Sequence, residues 1–167
     1  MKILVLGSAG QLGKCIGDTF ASSEHNMTYM NHTNIDIRIK KKIKKLIYDL
    51  KPNIVINTAA YTNVDLAEQQ HSKANAINNM ALKYISEACL NTKSVLIHIS
   101  TDYVFDGTSS SPYTETDATN PLGVYGKSKL DGEQAILTSG CEYIIVRTSW
   151  VYSEYGKNFL KTMLELF

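Results

Sequence analysis

Three glycines spaced three apart, directly behind a short apolar run, constrain this chain more than any other feature. Lys2-Ile3-Leu4-Val5-Leu6 is long enough for a buried parallel strand, and it runs straight into Gly7-Ser8-Ala9-Gly10-Gln11-Leu12-Gly13. Leu12, Ile16 and Phe20 then recur every four residues, the mark of a helix reaching to about Ser22. Strand, glycine turn and helix in this order make a variant of the dinucleotide fingerprint. The first glycine allows the tight turn, the second lets backbone approach a pyrophosphate, and the third lets helix and strand pack closely. The pyrophosphate would sit on the helix N-terminus. The plainer alternative is a glycine-rich turn with no ligand.

The rest of the chain alternates in the same way. Strands are predicted over Met27–Asn31, Asn53–Asn57, Ser94–Ser100 and Tyr143–Val146. A helix beginning just after Asp36 carries Ile39, Ile43, Leu46, Ile47 and Leu50 on one stripe and stops before Pro52, with Asp36 as its N-cap. Val64–Leu90 is glycine-free and helical. Another helix is predicted from Asn120-Pro121, with proline in its first turn, to Gly140. Residues 106–121 between them are a loop of serine, threonine and proline. A last amphipathic helix shows Phe159, Leu160, Met163, Leu164 and Phe167 at helical spacing. The expectation is a single α/β domain over residues 1–167, Rossmann-like and doubly wound, with a mostly parallel sheet and helices on both faces.

Composition excludes several classes. The 167 residues are 44% hydrophobic, enough for one core, and the net charge of +1 exerts no pull on nucleic acid or an anionic membrane. Lys40, Lys41, Lys42, Lys44 and Lys45 flank an apolar stripe and read as a solvated helix face. No apolar run nears the ~20 residues of a membrane span. Cys15, Cys89 and Cys141 are odd in number and far apart, as expected of reduced thiols in a cytoplasmic protein, and no metal site is expected from them.

The chemistry concentrates in two stretches. Ser100-Thr101-Asp102-Tyr103 ends the fourth predicted strand, at the carboxyl end, where open α/β sheets bind ligands. Some two dozen residues on, Tyr125 and Lys129 stand at i, i+4 and so share one helix face. A free phenol titrates near ~10, and a nearby positive charge would bring it down. Such a tyrosine could exchange a proton with an alcohol or a developing alkoxide. Thr101 could hydrogen-bond the same oxygen.

Taken together, Gly7 to Gly13, Thr101, Tyr125 and Lys129 resemble the extended short-chain dehydrogenase/reductase superfamily. Thr101-Asp102-Tyr103-Val104-Phe105-Asp106-Gly107, the run Tyr113 to Leu122, and Arg147-Thr148-Ser149-Trp150-Val151-Tyr152 are similar more narrowly to the dTDP-4-dehydrorhamnose reductase family. The resemblance implies NADPH or NADH as cofactor and a dTDP-sugar, dTDP-4-dehydro-6-deoxy-L-mannose, as substrate. It implies Thr101, Tyr125 and Lys129 as catalytic groups. Gly7, Gly10, Gln11, Leu12, Gly13, Asp36, Ile37, Ala59, Ala60 and Tyr61 would hold the cofactor together with Tyr125 and Lys129. Thr101, Asp102 and Trp150 would hold the sugar nucleotide, although Trp150 could equally be an ordinary core residue. Asn78 or its neighbour Asn79 would support the lysine. The oligomeric state is left open, with a homodimer among the options; nucleic acid and membrane partners are not expected.

Superfamily dehydratases place an acidic residue where Tyr103 stands, which favours a reductase. The acidic residue linked to magnesium in some members is Cys15 here, so magnesium is not expected. The residue after the second strand that usually reads the ribose is neither carboxylate nor arginine in Asn31-His32-Thr33-Asn34, which leaves NADH against NADPH open; His32 could approach a 2′-phosphate or simply be a solvated loop residue. The family carries a further C-terminal segment that closes over the sugar nucleotide, so this chain is expected to lack it. Two other functions fit the same motifs: a different nucleotide-sugar enzyme such as an epimerase, and a non-catalytic binding module like the regulatory subunit of methionine adenosyltransferase.

Overall fold

The computed structural model describes residues 1–167. Its centre is a five-stranded, wholly parallel sheet: β1 (Lys2–Leu6), β2 (Asn26–Met30), β3 (Ile54–Asn57), β4 (Val95–Thr101) and β5 (Tyr143–Thr148). They lie in the order β2-β1-β3-β4-β5. The chain leaves β1 toward one edge, through α1 (Gln11–Thr19), and then crosses back over β1 through α2 (Lys40–Leu50) to build the other side. Right-handed crossovers in opposite directions put α1 and α2 on opposite faces of the sheet. The reversal between β1 and β3 leaves a crevice at the strands' carboxyl ends.

One face is far better covered than the other. The twelve-residue core gathers Leu4, Leu6, Val55 and Leu96 of the sheet with Ile43 and Ile47 of α2 and with Leu82, Ile85 and Cys89 of α5 (Ala81–Thr92). Ile136 joins it from α6 (Val124–Leu137). The stripe expected on α2 is seated at Ile43 and Ile47; Ile39 lies ahead of the first turn and stays exposed. On the opposite face, α1 buries only Gly13, and α7 (Phe159–Leu166) buries none of its side chains. No helix is long and apolar enough to cross a membrane.

Three element boundaries differ from expectation, each for a local reason. Asp36 does not cap α2: its carboxylate accepts bonds from the Arg38 backbone N–H at 3.0 Å and from its guanidinium at 2.9 and 2.7 Å. The stretch Val64–Leu90 is broken into α3 (Val64–Ala67), α4 (His71–Asn75), a π-helical turn (Ala76–Met80) and α5. And α6 begins at Val124 rather than at Asn120-Pro121, because Glu68, at the end of α3, accepts the Val124 N–H at 2.7 Å and so caps the helix from a distance.

Candidate active site

The glycine loop is built by contact. Gly7 lies at φ +84°, a conformation that disfavours side chains, and a Cβ there would stand 2.5 Å from the Ala59 nitrogen. At Gly13 a Cβ would meet the Gly7 carbonyl oxygen at 2.5 Å. Gly10 differs. Its φ is −73°, and an added Cβ would have one neighbour within 4 Å, the Gly7 oxygen at 3.3 Å. The fold itself therefore makes no strong demand for glycine at position 10. That position faces a cleft of about 400 Å³ at the ends of β1, β2 and β3. No side chain caps α1 and its first turn holds no acid, so its leading N–H groups are available to an anion.

Of the residues expected to bind a cofactor, Gly7, Gly10, Asp36, Ile37, Ala59 and Ala60 line this cleft. Gln11, Leu12, Gly13 and Tyr61 do not. Gln11 accepts a bond from Asn158 at 3.2 Å, and Gly13 is buried under the turn. Tyr61 belongs to a small second core with Ala67 and Ala74, its hydroxyl directed to Gln70. Arg38, Thr58, Lys73 and Ile77 also line the cleft, and sequence reasoning passed over them. Thr58 falls just beyond β3 and Lys73 and Ile77 lie on helical turns facing the crevice, while Arg38 sits in the loop before α2, so no common sequence pattern marks them. His32 is both exposed and part of the lining.

Thr101 ends β4, the strand beside β3, so it stands one strand further along than the cleft. From β2 to β4 is three strand spacings, about 14 Å, which gives an extended ligand room to lie across both. The Thr101 hydroxyl donates to Asp102 Oδ1 at 3.1 Å and accepts the Tyr103 N–H at 3.2 Å. The Tyr103 ring meets Tyr125 edge-on, centroids 5.6 Å apart. Register pairs Thr101 with Thr148, so Trp150 leaves the sheet beside it. Trp150 is 72% exposed and is no core residue; its backbone is held at φ +53°, uncommon for a bulky side chain.

Tyr125 and Lys129 share a helix face as predicted, but the ammonium does not act on the phenol as the spacing suggests. Burial raises the Tyr125 titration above its ordinary 10, opposed by the neighbouring Thr101 hydroxyl. Lys129 is 2% exposed and points inward, donating to the Ile99 carbonyl at 2.6 Å with His98 Nε2 at 3.3 Å. Burial brings it down to about 8, with the Glu133 charge working the other way.

What holds α6 in this position was not legible. A Cβ at Gly126 would lie 2.2 Å from the Tyr103 carbonyl oxygen, and one at Gly132 would lie 2.0 Å from that of Asn78. Two glycines thus let the helix press directly on the Asp102–Val104 turn and on the π turn. The same π turn sets the neighbouring asparagines apart. Asn78 is buried; it accepts from the Tyr61 N–H and donates to the Tyr61 carbonyl and to Ser128, while Asn79 bonds only Asn75. Asn78 therefore reaches the Tyr125–Lys129 segment through Ser128. Further along α6, buried Glu133 takes the Ser100 hydroxyl and a two-pronged bond from Arg147 at 3.2 and 2.7 Å. The Arg147 guanidinium lies 5.0 Å from the Phe105 ring, which stacks on Tyr113.

Comparison with known proteins agrees with this geometry. The family model described as "RmlD substrate binding domain" matches residues 1–167. The chain belongs to this family. It is 43% identical over 166 residues to the dTDP-4-dehydrorhamnose reductase of Aggregatibacter actinomycetemcomitans, covering 99% of this chain and 56% of that protein. Among solved structures, a dTDP-4-dehydrorhamnose reductase from Clostridium acetobutylicum superimposes with a TM-score of 0.96 at 40% identity, over 99% of this chain and 59% of that one. Another from Bacillus anthracis, in complex with NADP, gives 0.95 at 36% identity, over the same shares. The chain thus spans a little over half the length of the RmlD-family relatives it matches.

Proposed function

We propose that this chain carries the cofactor-binding and proton-donating part of an NAD(P)H-dependent reductase. Its substrate is the 4-keto group of a dTDP-6-deoxy sugar, dTDP-4-dehydro-6-deoxy-L-mannose, which is reduced to dTDP-L-rhamnose. The observation that carries this is the placement of Thr101 at the end of β4, with Tyr125 packed on the Tyr103 ring beside it, one strand beyond a cleft walled by Gly7, Gly10, Ala59 and Ala60. The cleft fits a dinucleotide chemically: glycine backbone where a phosphate would press, uncapped N–H groups at α1, and small side chains beneath a flat ring. A reduced nicotinamide, when bound, would supply the hydride.

The chain's own groups do the rest. Tyr125 gives its proton to the oxygen that develops at C4, and Thr101 donates a hydrogen bond to that oxygen as its charge grows. A phenol raised by burial stays protonated at neutral pH, as an acid must before it donates. Lys129, on the same helix, points inward to the Ile99 carbonyl and His98, so it serves the site by holding α6 against β4 rather than by acting on the phenol. Asp102 and Trp150 hold the sugar nucleotide at the open side. The named relatives are reductases, which favours this reading over a binding module.

Titration of the chain with NADPH and NADH, followed by nicotinamide fluorescence, tests the cofactor half. Saturable binding that Gly10→Asp abolishes is expected, and a folded sample that binds neither would overturn it. Reduction of the dTDP-4-keto sugar, lost in Tyr125→Phe with cofactor binding kept, tests the chemistry.

A further inference from the structure

Behind the site lies a line of three buried nitrogen-bearing side chains whose hydrogens cannot all be placed as drawn. Asn57 Nδ2 stands 3.1 Å from His98 Nδ1, and His98 Nε2 stands 3.3 Å from Lys129 Nζ. All three side chains belong to residues at most 2% exposed. The imidazole is neutral, because burial and then the neighbouring Lys129 charge push its titration well below the ordinary 6.5. A neutral imidazole has one N–H and one bare nitrogen. It cannot accept from an amide N–H₂ on one side and from an ammonium on the other.

Two arrangements satisfy the line, and they differ by one proton on Lys129. In the first, Lys129 is an ammonium and donates to His98 Nε2; His98 Nδ1–H then donates to Asn57, whose amide must turn its oxygen inward. In the second, Lys129 is a neutral amine and accepts from His98 Nε2–H; Nδ1 then accepts from the Asn57 amide N–H₂. The side-chain atoms of Asn57 show that its amide is not held fast in the second of these orientations. Turned with Nδ2 toward His98, its Oδ1 is buried with no partner, and its Nδ2 has only a 3.4 Å contact to the Ala59 carbonyl besides the imidazole. The amide is therefore not fully satisfied in this orientation, and the surroundings do not lock it in.

We infer that His98, braced by Asn57, is a positioning residue whose tautomer sets the proton state of Lys129. Loss of a proton from Lys129 to solvent is accompanied by transfer of the imidazole hydrogen from Nδ1 to Nε2 and by rotation of the Asn57 amide. No other species is gained or lost. Few other charged or titratable groups act on Lys129. Glu133 on its own helix raises it, with a carboxylate shared with Arg147 of β5. β4 offers only His98, while β3 and the π turn contribute the uncharged Asn57 and Asn78. Asp102 acts on Tyr125 from the far side. The relevance to turnover rests on the proposed reductase chemistry, but the proton arrangement does not.

The test is nuclear magnetic resonance on the intact chain from pH 6 to 11. The ¹⁵N shifts of His98 report its tautomer, and the ¹³Cε shift of Lys129, assigned with Lys129→Met, reports its titration. The imidazole is expected to change from Nδ1–H to Nε2–H across the interval in which Lys129 loses its proton. Asn57→Asp, which holds hydrogen on Nδ1, should move the Lys129 titration up by about one pH unit, a tenfold change in the equilibrium. His98→Leu should move it down by about as much, and His98→Gln, which keeps an acceptor for the ammonium, should restore it. A single tautomer throughout the Lys129 titration would overturn the inference, as would shifts of the same sign in Asn57→Asp and His98→Leu. Should either variant fail to fold, the tautomer of the unaltered chain decides alone. None of these readouts needs cofactor or activity, so a failed reductase assay would leave the result standing.

Discussion

Two parts of this molecule are built around glycine, and they teach different lessons. In the loop after β1, Gly7 and Gly13 are demanded by neighbouring backbone while Gly10 has room beside it. In α6, Gly126 and Gly132 are both demanded, and no space is left over for a ligand. The loop uses two glycines to fold and keeps one for something outside the protein. The helix uses both of its glycines to seat Tyr125 and Lys129 against the ends of β4 and the π turn. A binding surface and a rigid support have been made from the same residue.

The largest effect should come from the ion pair that finishes the support. Glu133 is 1% exposed, and Arg147→Leu would leave its carboxylate buried and unpaired. Breaking one side of such a pair typically costs about 3–5 kcal/mol. Chemical denaturation should show that loss, and Arg147→Leu with Glu133→Leu should recover much of it. If the single variant is within 1 kcal/mol of the parent, α6 is not anchored there. Next comes Gly132→Ala, whose Cβ would fall 2.0 Å from the Asn78 carbonyl oxygen. Overpacking against backbone should cost about 1–3 kcal/mol. Gly17→Ala in α1 has nothing within 4 Å and should gain about 0.5–1 kcal/mol from helix propensity. Equal effects at both sites would dissolve the distinction between a seated and a free helical glycine.

The support also carries a pH signature. Lys129 titrates at about 8 when folded and near 10.5 otherwise. Below pH 8 both states are protonated, and the folded one bears the whole cost of a buried ammonium, roughly 3 kcal/mol. Between about 8 and 10.5 the unfolded chain holds more protons than the folded one, so stability should rise with pH across that window. Lys129→Met should be more stable at pH 7 and should flatten the rise. A parent whose stability falls steadily from pH 8 to 10 would show that the ammonium is better paired than its burial indicates.

The same contrast explains how much could be read in advance. The glycine loop, the five strands and the i, i+4 relation of Tyr125 and Lys129 are local patterns, and local patterns survive in a sequence. Among the cleft residues, Gly7 and Gly10 were legible from the glycine spacing; Asp36, Ile37, Ala59 and Ala60 were legible through the family resemblance, with Asp36 and Ile37 in the loop between β2 and α2. The support was not, because its contacts are long-range. Glu68 caps a helix 56 positions away, Asn78 meets Ser128 50 positions on, and Lys129 meets His98 across 31. Nothing in Val64–Leu90 announces a π turn, and nothing near Lys129 says that its ammonium points inward rather than toward Tyr125.

The smallest stability effect is the most telling for function. Gly10→Ala adds a methyl group whose one near neighbour is a carbonyl oxygen at 3.3 Å, at a backbone conformation open to any residue. Its unfolding free energy should stay within about 0.5 kcal/mol of the parent. If glycine is kept there for a phosphate, the same methyl group should nonetheless weaken NADPH binding tenfold or more, and Gly7→Ala should instead fail first in stability. That split between neighbouring glycines is what separates a ligand loop from a turn. A Gly10→Ala variant that binds NADPH as tightly as the parent would mean that the space beside Gly10 is incidental, and the cofactor would have to be sought along another wall of the cleft, where Arg38 and Lys73 supply the charge.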